Sequence, residues 1–501
     1  MHIAFLTNPA SGQINVQLAT AEQLVSQGHH VTFLSAESCS SKINRFKLSQ
    51  QASDQHLIRF ISLGSGRTVD DFTPFMQDHM SSMRSKPGDP VSLETCIEAA
   101  LGSVEEYAAT AIRVRDYLNA LGPSIICVDA LTPPLVTGVR LTKRKYILTI
   151  PCSPGLTALS GAFEPHPMAS NRRGSWGTLF ENIYLHFRGY LYSRTHPGCI
   201  AKRKLLSKRF GLKSFGRSRD VSILPPLWQD ENCLAGIHFN TPGLLDCHKQ
   251  SSKMIFVGAG VSVETSEATC PELAWMDEAT ALEEDVVYIN MGSMFIWQRH
   301  EFWNCIAGFE AAYKSREGRV RFLLKLNFPI DSHRGFSIEE LPSYIRLTNW
   351  IENQHAVYSH PALKVFIHHG GGNSFNEAVY FAIPQLVLSQ WLDTHEYAKY
   401  AEQFRLGLRS ARPPHIDVAD IEAKILTLLG PLWPTYKSNC QTWAVRNQLS
   451  GGTASAAKLI LSHAESSALH DSVLTLPSLS IEISSIPEKD SEAVKEIVIC
   501  S

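Results

Sequence analysis

No C-x-x-C pair occurs in this 501-residue chain: its eleven cysteines are scattered from Cys39 to Cys500, an odd number at irregular spacing. Several sit inside apolar runs such as Ile125-Ile126-Cys127-Val128, which is how reduced, buried thiols read, not a disulfide framework or a zinc cluster. An excess of either charge is also lacking, with 46 Lys and Arg against 48 Asp and Glu and a formal net charge of −2. That balance gives no global attraction to nucleic acid or to an anionic membrane. No run of about 18 apolar residues is present, so no membrane span is expected. The first residues, Met1-His2-Ile3-Ala4-Phe5-Leu6, carry no basic n-region, and a cytoplasmic protein is expected. The pentapeptide G-x-S-x-G is missing, which argues against a serine esterase even though His369-Gly370-Gly371-Gly372 has the look of an esterase oxyanion loop. Gly64-Ser65-Gly66 and Gly258-Ala259-Gly260 lack the third glycine of a dinucleotide fingerprint and read as turns.

What is present is a strand–helix–strand rhythm. An apolar run over 2–7 is followed by Ser11-Gly12, and then Ile14, Leu18, Ala21, Leu24 and Val25 recur at helical spacing up to Gly28. A second run, Val31–Leu34, completes a βαβ unit and hence predicts a parallel sheet. Further strands are expected at Leu57–Ile61, Ile125–Val128 and Tyr146–Ile150, with a long helical pattern over 91–121. A second series has strands at Val286–Met291, Val320–Leu324, Ile345–Leu347, Lys364–Ile367 and Gln385–Leu388, with helices at Glu301–Lys314 and Asn373–Ala382. The pattern predicts an α/β chain of two doubly wound parallel-sheet domains facing a cleft, 1–240 and 281–430, joined by an aperiodic linker over 241–280. Helices over 431–465 and a mobile, Ser-rich acidic tail over 466–501 complete the expected layout.

The second series contains the most informative segment, the apolar strand Val365-Phe366-Ile367 running through His368-His369 into Gly370-Gly371-Gly372 and then Asn373-Ser374. Glycines let backbone approach a ligand closely, and a helix mouth offers unpaired N–H groups and partial positive charge, which suits a diphosphate. Three glycines alone would equally make a tight turn. Glu377, four residues after Asn373, shares its helix face and can accept from a sugar diol. Trp350 and Gln354, also four apart, are expected on one face of a helical turn, with the ring free to stack on a base or else packed in the core. Trp391-Leu392-Asp393-Thr394-His395 places an acid beside a hydroxyl and an imidazole, suited to sugar hydroxyls. Adjacent residues on a strand point to opposite faces, so His368-His369 is not read as a metal pair, and no metal site is expected.

The stretch Trp350 through His395, with Gln354, His360-Pro361, His369-Gly370-Gly371-x-Asn373-Ser374-x-x-Glu377 and Asp393, resembles the nucleotide-sugar signature of the UDP-glycosyltransferase family. The nearest likeness is to fungal members. The resemblance implies the GT-B fold and inverting transfer of a hexose from a UDP-sugar, with glucose the default. No other cofactor is implied. It implies that Trp350 stacks on uracil, that Gln354 and Glu377 hold the ribose, and that His369, Asn373 and Ser374 bind the diphosphate. Gly292 and Ser293 contribute from a facing loop, and Asp393 reads the sugar. The usual Asp-Gln pair is here Asp393-Thr394. By family habit the acceptor is a small lipophilic metabolite such as a terpenoid, sterol or polyketide, and a monomer is expected.

One further absence bears on mechanism. In the family a histidine after the first strand deprotonates the acceptor; here that position is Gln13, and an amide takes no proton at neutral pH. Asp129 matches the family's supporting acid. Three readings stay open: Asp129 is itself the base with Gln13 orienting the acceptor, the acceptor is acidic enough to need little help, or the chain binds UDP-sugar as a partner or regulator without turnover. Residues 171–219 are locally basic with interleaved Trp176, Phe180, Tyr184, Phe187 and Tyr190. They read as helices with a solvated cationic face, or as a peripheral surface resting on anionic lipid.

Overall fold

The computed structural model describes residues 1–64, 82–91, 94–95, 103–156, 176–212, 227–244, 251–262, 270–326 and 341–474. Seven strands form the first sheet: β1 (His2–Leu6), β2 (His30–Ser35), β3 (Ile58–Ser62), β4 (Ile125–Asp129), β5 (Tyr146–Ile150), β6 (Cys233–His238) and β7 (Met254–Phe256). Their order is β3-β2-β1-β4-β5-β6-β7, with every pairing parallel. The second sheet comprises β8 (Asp285–Asn290), β9 (Val320–Lys325), β10 (Ile345–Thr348), β11 (Leu363–His368), β12 (Gln385–Val387) and β13 (Gly407–Arg409), again all parallel, in the order β10-β9-β8-β11-β12-β13. Each sheet therefore reverses direction once, between β1 and β4 and between β8 and β11. Ligands of doubly wound sheets bind outside the carboxyl ends of strands at such switch points. This is the pair of Rossmann-like domains of the GT-B architecture.

The strands are near-continuous apolar runs because both faces are covered. Ile3, Phe5, Val31 and Phe33 pack on one side of the first sheet, and Ala4, Leu6, Ile126, Val128 and Leu148 on the other. The second sheet divides in the same way, with Val287, Ile289, Phe322 and Ile367 on one face and Val286, Tyr288, Leu323 and Phe366 on the other. The last helix, Gly452–Leu474, sends Ala456, Ala457, Ile460 and Ala464 into the core of the first half.

Several boundaries differ from the sequence reading. Residues 241–280 are not simply a linker: Met254–Phe256 is the edge strand of the first sheet, and the helix Pro271–Ala281 sends Trp275, Met276 and Ala279 into the core of the second. Met254–Phe256 escaped notice because it is only three residues long, too short for a period. Gly407–Arg409 is equally short, and its glycine is required by contact: a Cβ there would lie 1.9 Å from the Gln385 carbonyl oxygen. The C-terminal helix runs past 465 to Leu474, and the rest of the expected tail, 475–501, lies outside the described residues. The helix expected over 91–121 is seen as Val104–Leu121, most of 91–102 lying outside them. So does the Ser65-Gly66 part of the first glycine pair.

The two halves are joined by buried amides. Asn376 Oδ1 accepts from Thr241 N–H (3.0 Å) and Oγ1 (3.1 Å), and Asn376 Nδ2 donates to Asn240 Oδ1 (2.8 Å). Tyr397 O–H donates to the same Asn240 oxygen (2.7 Å), and Asn447 Nδ2 donates to Thr241 Oγ1 (2.6 Å). Replacing Asn376 by Leu leaves Asn240 and Thr241 buried without those partners, a cost of about 2–3 kcal/mol. Thermal unfolding of Asn376→Leu is expected to show a midpoint several degrees below wild type; an unchanged midpoint refutes the role given to the network.

Candidate active site

The loop after β11 enters the helix Gly372–Tyr380, whose N-cap, Gly371, supplies no side chain to its first N–H groups. Each glycine of the triplet answers to a close neighbour. Gly370 has φ +87°, and a Cβ on it would stand 2.7 Å from Thr394 O. A Cβ on Gly372 would stand 2.4 Å from Pro151 O of the first half. The His369 ring lies between Gly371 and Gly292, where added Cβ atoms would approach it to 2.6 and 2.3 Å. The triplet is thus more than a turn: it lets two loops close on one imidazole.

Burial, reinforced by His368, pushes His369 down to about 3, so the ring is neutral and still offers one N–H to a phosphate oxygen. Its Nδ1 is buried with no hydrogen-bond partner among the described residues. His368, in contrast, is structural: its Nε2 donates to Gln385 Oε1 (2.8 Å) and its Nδ1 accepts from Gly370 N–H (3.0 Å). Among the described residues no group of three or more His, Cys, Asp or Glu is placed to hold a metal ion. Asn373 Nδ2 donates across the cleft to Gly12 O (3.2 Å), while Ser374 is half-buried in the same helical turn and Ser293 exposed after β8.

Gln354 and Glu377 come together. Gln354 Oε1 accepts from Tyr288 O–H (3.2 Å), Asn290 Nδ2 (3.2 Å) and Lys325 Nζ (3.3 Å), and its Nε2 lies 3.5 Å from Glu377 Oε2. Glu377 also accepts from Tyr358 O–H (3.1 Å), and burial raises its carboxyl to about 7. Trp350 is not on a helical turn with Gln354. It lies in the bend between β10 and the helix Gln354–Ser359, its carbonyl accepting from Thr348 Oγ1 (2.9 Å). The ring is 58% exposed, so it is not core packing, and it meets Lys325 Nζ at 4.8 Å and the Arg45 guanidinium at 5.7 Å. A third cation, Lys42, donates to Ser11 Oγ (3.3 Å), and burial lowers its ammonium to about 8. The sequence reading missed Lys42, Arg45 and Lys325. They come from a helix and a strand far apart in the chain, and only the closed cleft makes them one positive group.

Asp393 Oδ2 accepts from Ser153 N–H (2.9 Å) across the cleft, and burial raises its carboxyl. Thr394 does not extend toward a ligand: its Oγ1 accepts from Gln390 N–H (3.0 Å) and Trp391 N–H (2.9 Å) and donates to Trp391 O. One turn on, Glu396 is buried against Gly155 of the facing loop, raised to about 7 by burial, with Oε2 unpartnered among the described residues.

On the first sheet, Asp129 ends β4 beside the switch point and is fully buried. Its Oδ2 accepts from Asn8 Nδ2 (3.2 Å) and Thr132 Oγ1 (2.5 Å), and Oδ1 from Leu131 N–H (3.3 Å). Burial outweighs those bonds and lifts the carboxyl to about 7. Gln13 lies in the first turn of the helix Ser11–Val25 with its Oε1 buried and unpartnered among the described residues. The bonds of Asp129 run to Asn8, Thr132 and Leu131 and not to Gln13. Asn8, which also accepts from Ala10 N–H (2.8 Å), is the side chain that ties Asp129 to the β1 loop, and no motif or spacing marks it in advance.

Comparison with known proteins settles the family. The chain is 39% identical to erythritol-mannosyl-transferase 1 of Pseudozyma antarctica (strain T-34), over 93% of this chain and 91% of that one. The chain belongs to the UDP-glycosyltransferase family. The protein of the same name from Mycosarcoma maydis is 38% identical over 92% of this chain and 91% of its own length. Residues 326–451 match the family model described as erythromycin biosynthesis protein CIII-like, C-terminal domain. Two solved structures share the fold: the glycotransferase of kitacinnamycin (TM-score 0.63, 17% identity, 92% of this chain and 98% of that) and the calicheamicin glycosyltransferase CalG4 (TM-score 0.60, 15% identity, 93% and 99%). This glycosyltransferase is an enzyme, a hexosyltransferase that uses a nucleotide-sugar donor and a small-molecule acceptor, which displaces the alternative of a binder without turnover.

An exposed ring at the mouth of the cleft contributes to donor affinity only if a base lies on it. Stacking on an aromatic ring is worth ~1–3 kcal/mol per base. Trp350→Ala is therefore expected to weaken UDP binding by calorimetry roughly ten-fold or more. Unaltered affinity removes Trp350 from the site.

Proposed function

We propose that this glycosyltransferase moves a hexose with inversion from a nucleoside diphosphate sugar to a hydroxyl of a small polyol, with Asp129 as the general base. The observation that carries the reading is the Asn373–Gly12 hydrogen bond of 3.2 Å, which holds the donor loop against the helix turn bearing Gln13. The diphosphate is held by His369, Asn373, Ser374 and the mouth of the helix Gly372–Tyr380. Lys42, Arg45 and Lys325 add positive charge as UDP departs. Trp350 takes the base, Gln354 and Glu377 the ribose, Gly292 and Ser293 the phosphate side of the facing loop, and Asp393 the sugar.

Asp129 suits the work of the missing histidine. A general base works best with a pKa near the operating pH, and burial has brought this carboxyl to about 7. Gln13, with its free buried oxygen, accepts from an acceptor hydroxyl and so orients it. For the donor, the Thr394 hydroxyl is held by backbone and leaves no amide to read the sugar as a glucose donor site would; the two full-length relatives are named as mannosyl transferases. Mannose therefore takes the place of the default glucose. For the acceptor, Asn8, Gln13, Thr132, Ser153 and Glu396 give the described cleft wall a polar character, and erythritol in the names of the same relatives is a polyol. These favour a polyol over the lipophilic acceptors of family habit.

Losing a general base costs 10²–10⁴-fold. Asp129→Asn is expected to lower kcat by about 100-fold or more with little change in donor KM. The wild-type rate should rise with pH through about 7 as the carboxyl loses its proton, and the variant should lose that limb. Undiminished turnover refutes Asp129 as base. A panel of UDP-glucose, UDP-galactose, UDP-mannose and GDP-mannose against erythritol, a sterol and a terpenoid alcohol should give the highest kcat/KM for a mannosyl donor with erythritol. Preference for a glucosyl donor or an apolar alcohol overturns the assignment of substrates.

A further inference from the structure

The helix Trp176–Thr195 presents an apolar stripe to solvent. Trp176 (70% exposed), Phe180 (66%), Ile183 (57%), Tyr184, Phe187 (60%), Tyr190 and Leu191 recur at three- and four-residue spacing, which places them on one face. The opposite face is the one that packs: Asn182, Leu185 and Ser193 are buried, and Leu185 joins Met291, Phe295 and Trp297 in an apolar cluster of the second half. Core packing therefore does not account for the aromatic side. From Trp176 to Leu191 the stripe runs about 22 Å at 1.5 Å per residue.

Charge indicates what covers it. Residues 176–209 contain Arg188, Arg194, Lys202, Arg203, Lys204, Lys208 and Arg209 against the single acid Glu181. Arg188 is paired with Glu94 (2.7 Å) and Lys202 is buried over the Tyr107 ring, but Arg194, Lys204, Lys208 and Arg209 are exposed, and Arg194 stands over Tyr190 at 5.9 Å. Aromatic rings on one helix face, with Arg194 over one of them and exposed cations on the helix Pro197–Lys204 and the turn after it, are the makings of an interfacial surface, its rings below the headgroups and its cations near them. Among the described residues no helix is long and apolar enough to cross a membrane, so this contact would be peripheral. Arg172, Arg173, Lys213, Arg217 and Arg219 of the basic stretch lie outside the described residues.

We propose that the aromatic face of the helix Trp176–Thr195 docks this enzyme on an anionic lipid surface. The test is sedimentation of the full chain with phosphatidylcholine vesicles with and without about 30 mol% phosphatidylserine, at about 0.1 and 0.5 M salt. Binding is expected to the anionic vesicles at low salt, and to fall roughly ten-fold at high salt or on neutral lipid. The double variant Phe180→Asp/Phe187→Asp alters two exposed rings and should lose binding at least about ten-fold while keeping solution activity. Lys204→Glu/Lys208→Glu should weaken it without touching the rings. Failure of wild type to bind anionic vesicles overturns the proposal, as does unchanged binding of the Phe variant. A concentration-dependent dimer abolished by the same Phe variant also overturns it, because a second copy would then cover the face.

Discussion

The functional geometry depends on one close approach: the mouth of the donor helix lies directly against the first half. Only glycine fits at 372, where a Cβ would stand 2.4 Å from Pro151 O. Asn373 reaches Gly12 from the next position, and Asn376, one turn further, enters the amide network of Asn240 and Thr241. Three contacts from one short helix set the spacing between the donor loop and the loops after β1, β5 and β6. The helix mouth, which under the proposed reading would bind a diphosphate, therefore opens beside the Gly12 and Pro151 backbone of the first half. Side-chain chemistry in each half has meaning only because this backbone contact brings the switch points of the two sheets together.

Electrostatics across the cleft are divided in a way that follows from where each group is buried. Lys42, Arg45 and Lys325 gather around Ser11 and the Trp350 ring, where a nucleotide's negative charge would sit. Asp129, Asp393 and Glu396 are buried around the β4 and β5 loops, and burial raises all three. A carboxyl near 7, as at Asp129 and Glu396, is a poor structural ion but a useful proton acceptor at neutral pH. The same desolvation drives His369 to its neutral form, so under the proposed reading a diphosphate's charge would be met by helix dipole, amide groups and the cationic trio.

Strand identity was legible because a parallel sheet covered on both faces demands continuous apolar runs, and Val31–Leu34, Ile125–Val128 and Lys364–Ile367 are such runs. The glycine triplet was legible for a related reason: close approach permits no other residue. What the sequence hid falls into two kinds. Strands of three residues, Met254–Phe256 and Gly407–Arg409, are held by their neighbours and carry no period of their own. Partnerships across long separations carry no spacing signal, so Asn8 beside Asp129, 121 positions away, could be found only in the fold. Trp350 shows the opposite error, since a four-residue spacing to Gln354 suggested a helix where the chain bends after β10.

Under the proposed reading, Thr394 illustrates how a sugar site would change while its framework persists. At the position where the family's amide is expected, this chain has a short hydroxyl that binds the backbone of Gln390 and Trp391, bracing the turn before the helix Thr394–Gln403. Its hydroxyl is committed to shaping the loop and carries no amide for a ligand. Asp393 keeps its place and is fixed by Ser153 N–H, while Glu396, one turn on, brings an unpartnered oxygen to the same facing loop at Gly155. A carboxyl near 7 offers acceptors and, when protonated, a single O–H, whereas an amide always presents an acceptor and two N–H donors. Exchanging one for the other therefore changes which hydroxyl orientations the pocket satisfies, and axial and equatorial hydroxyls are the whole difference between one hexose and the next.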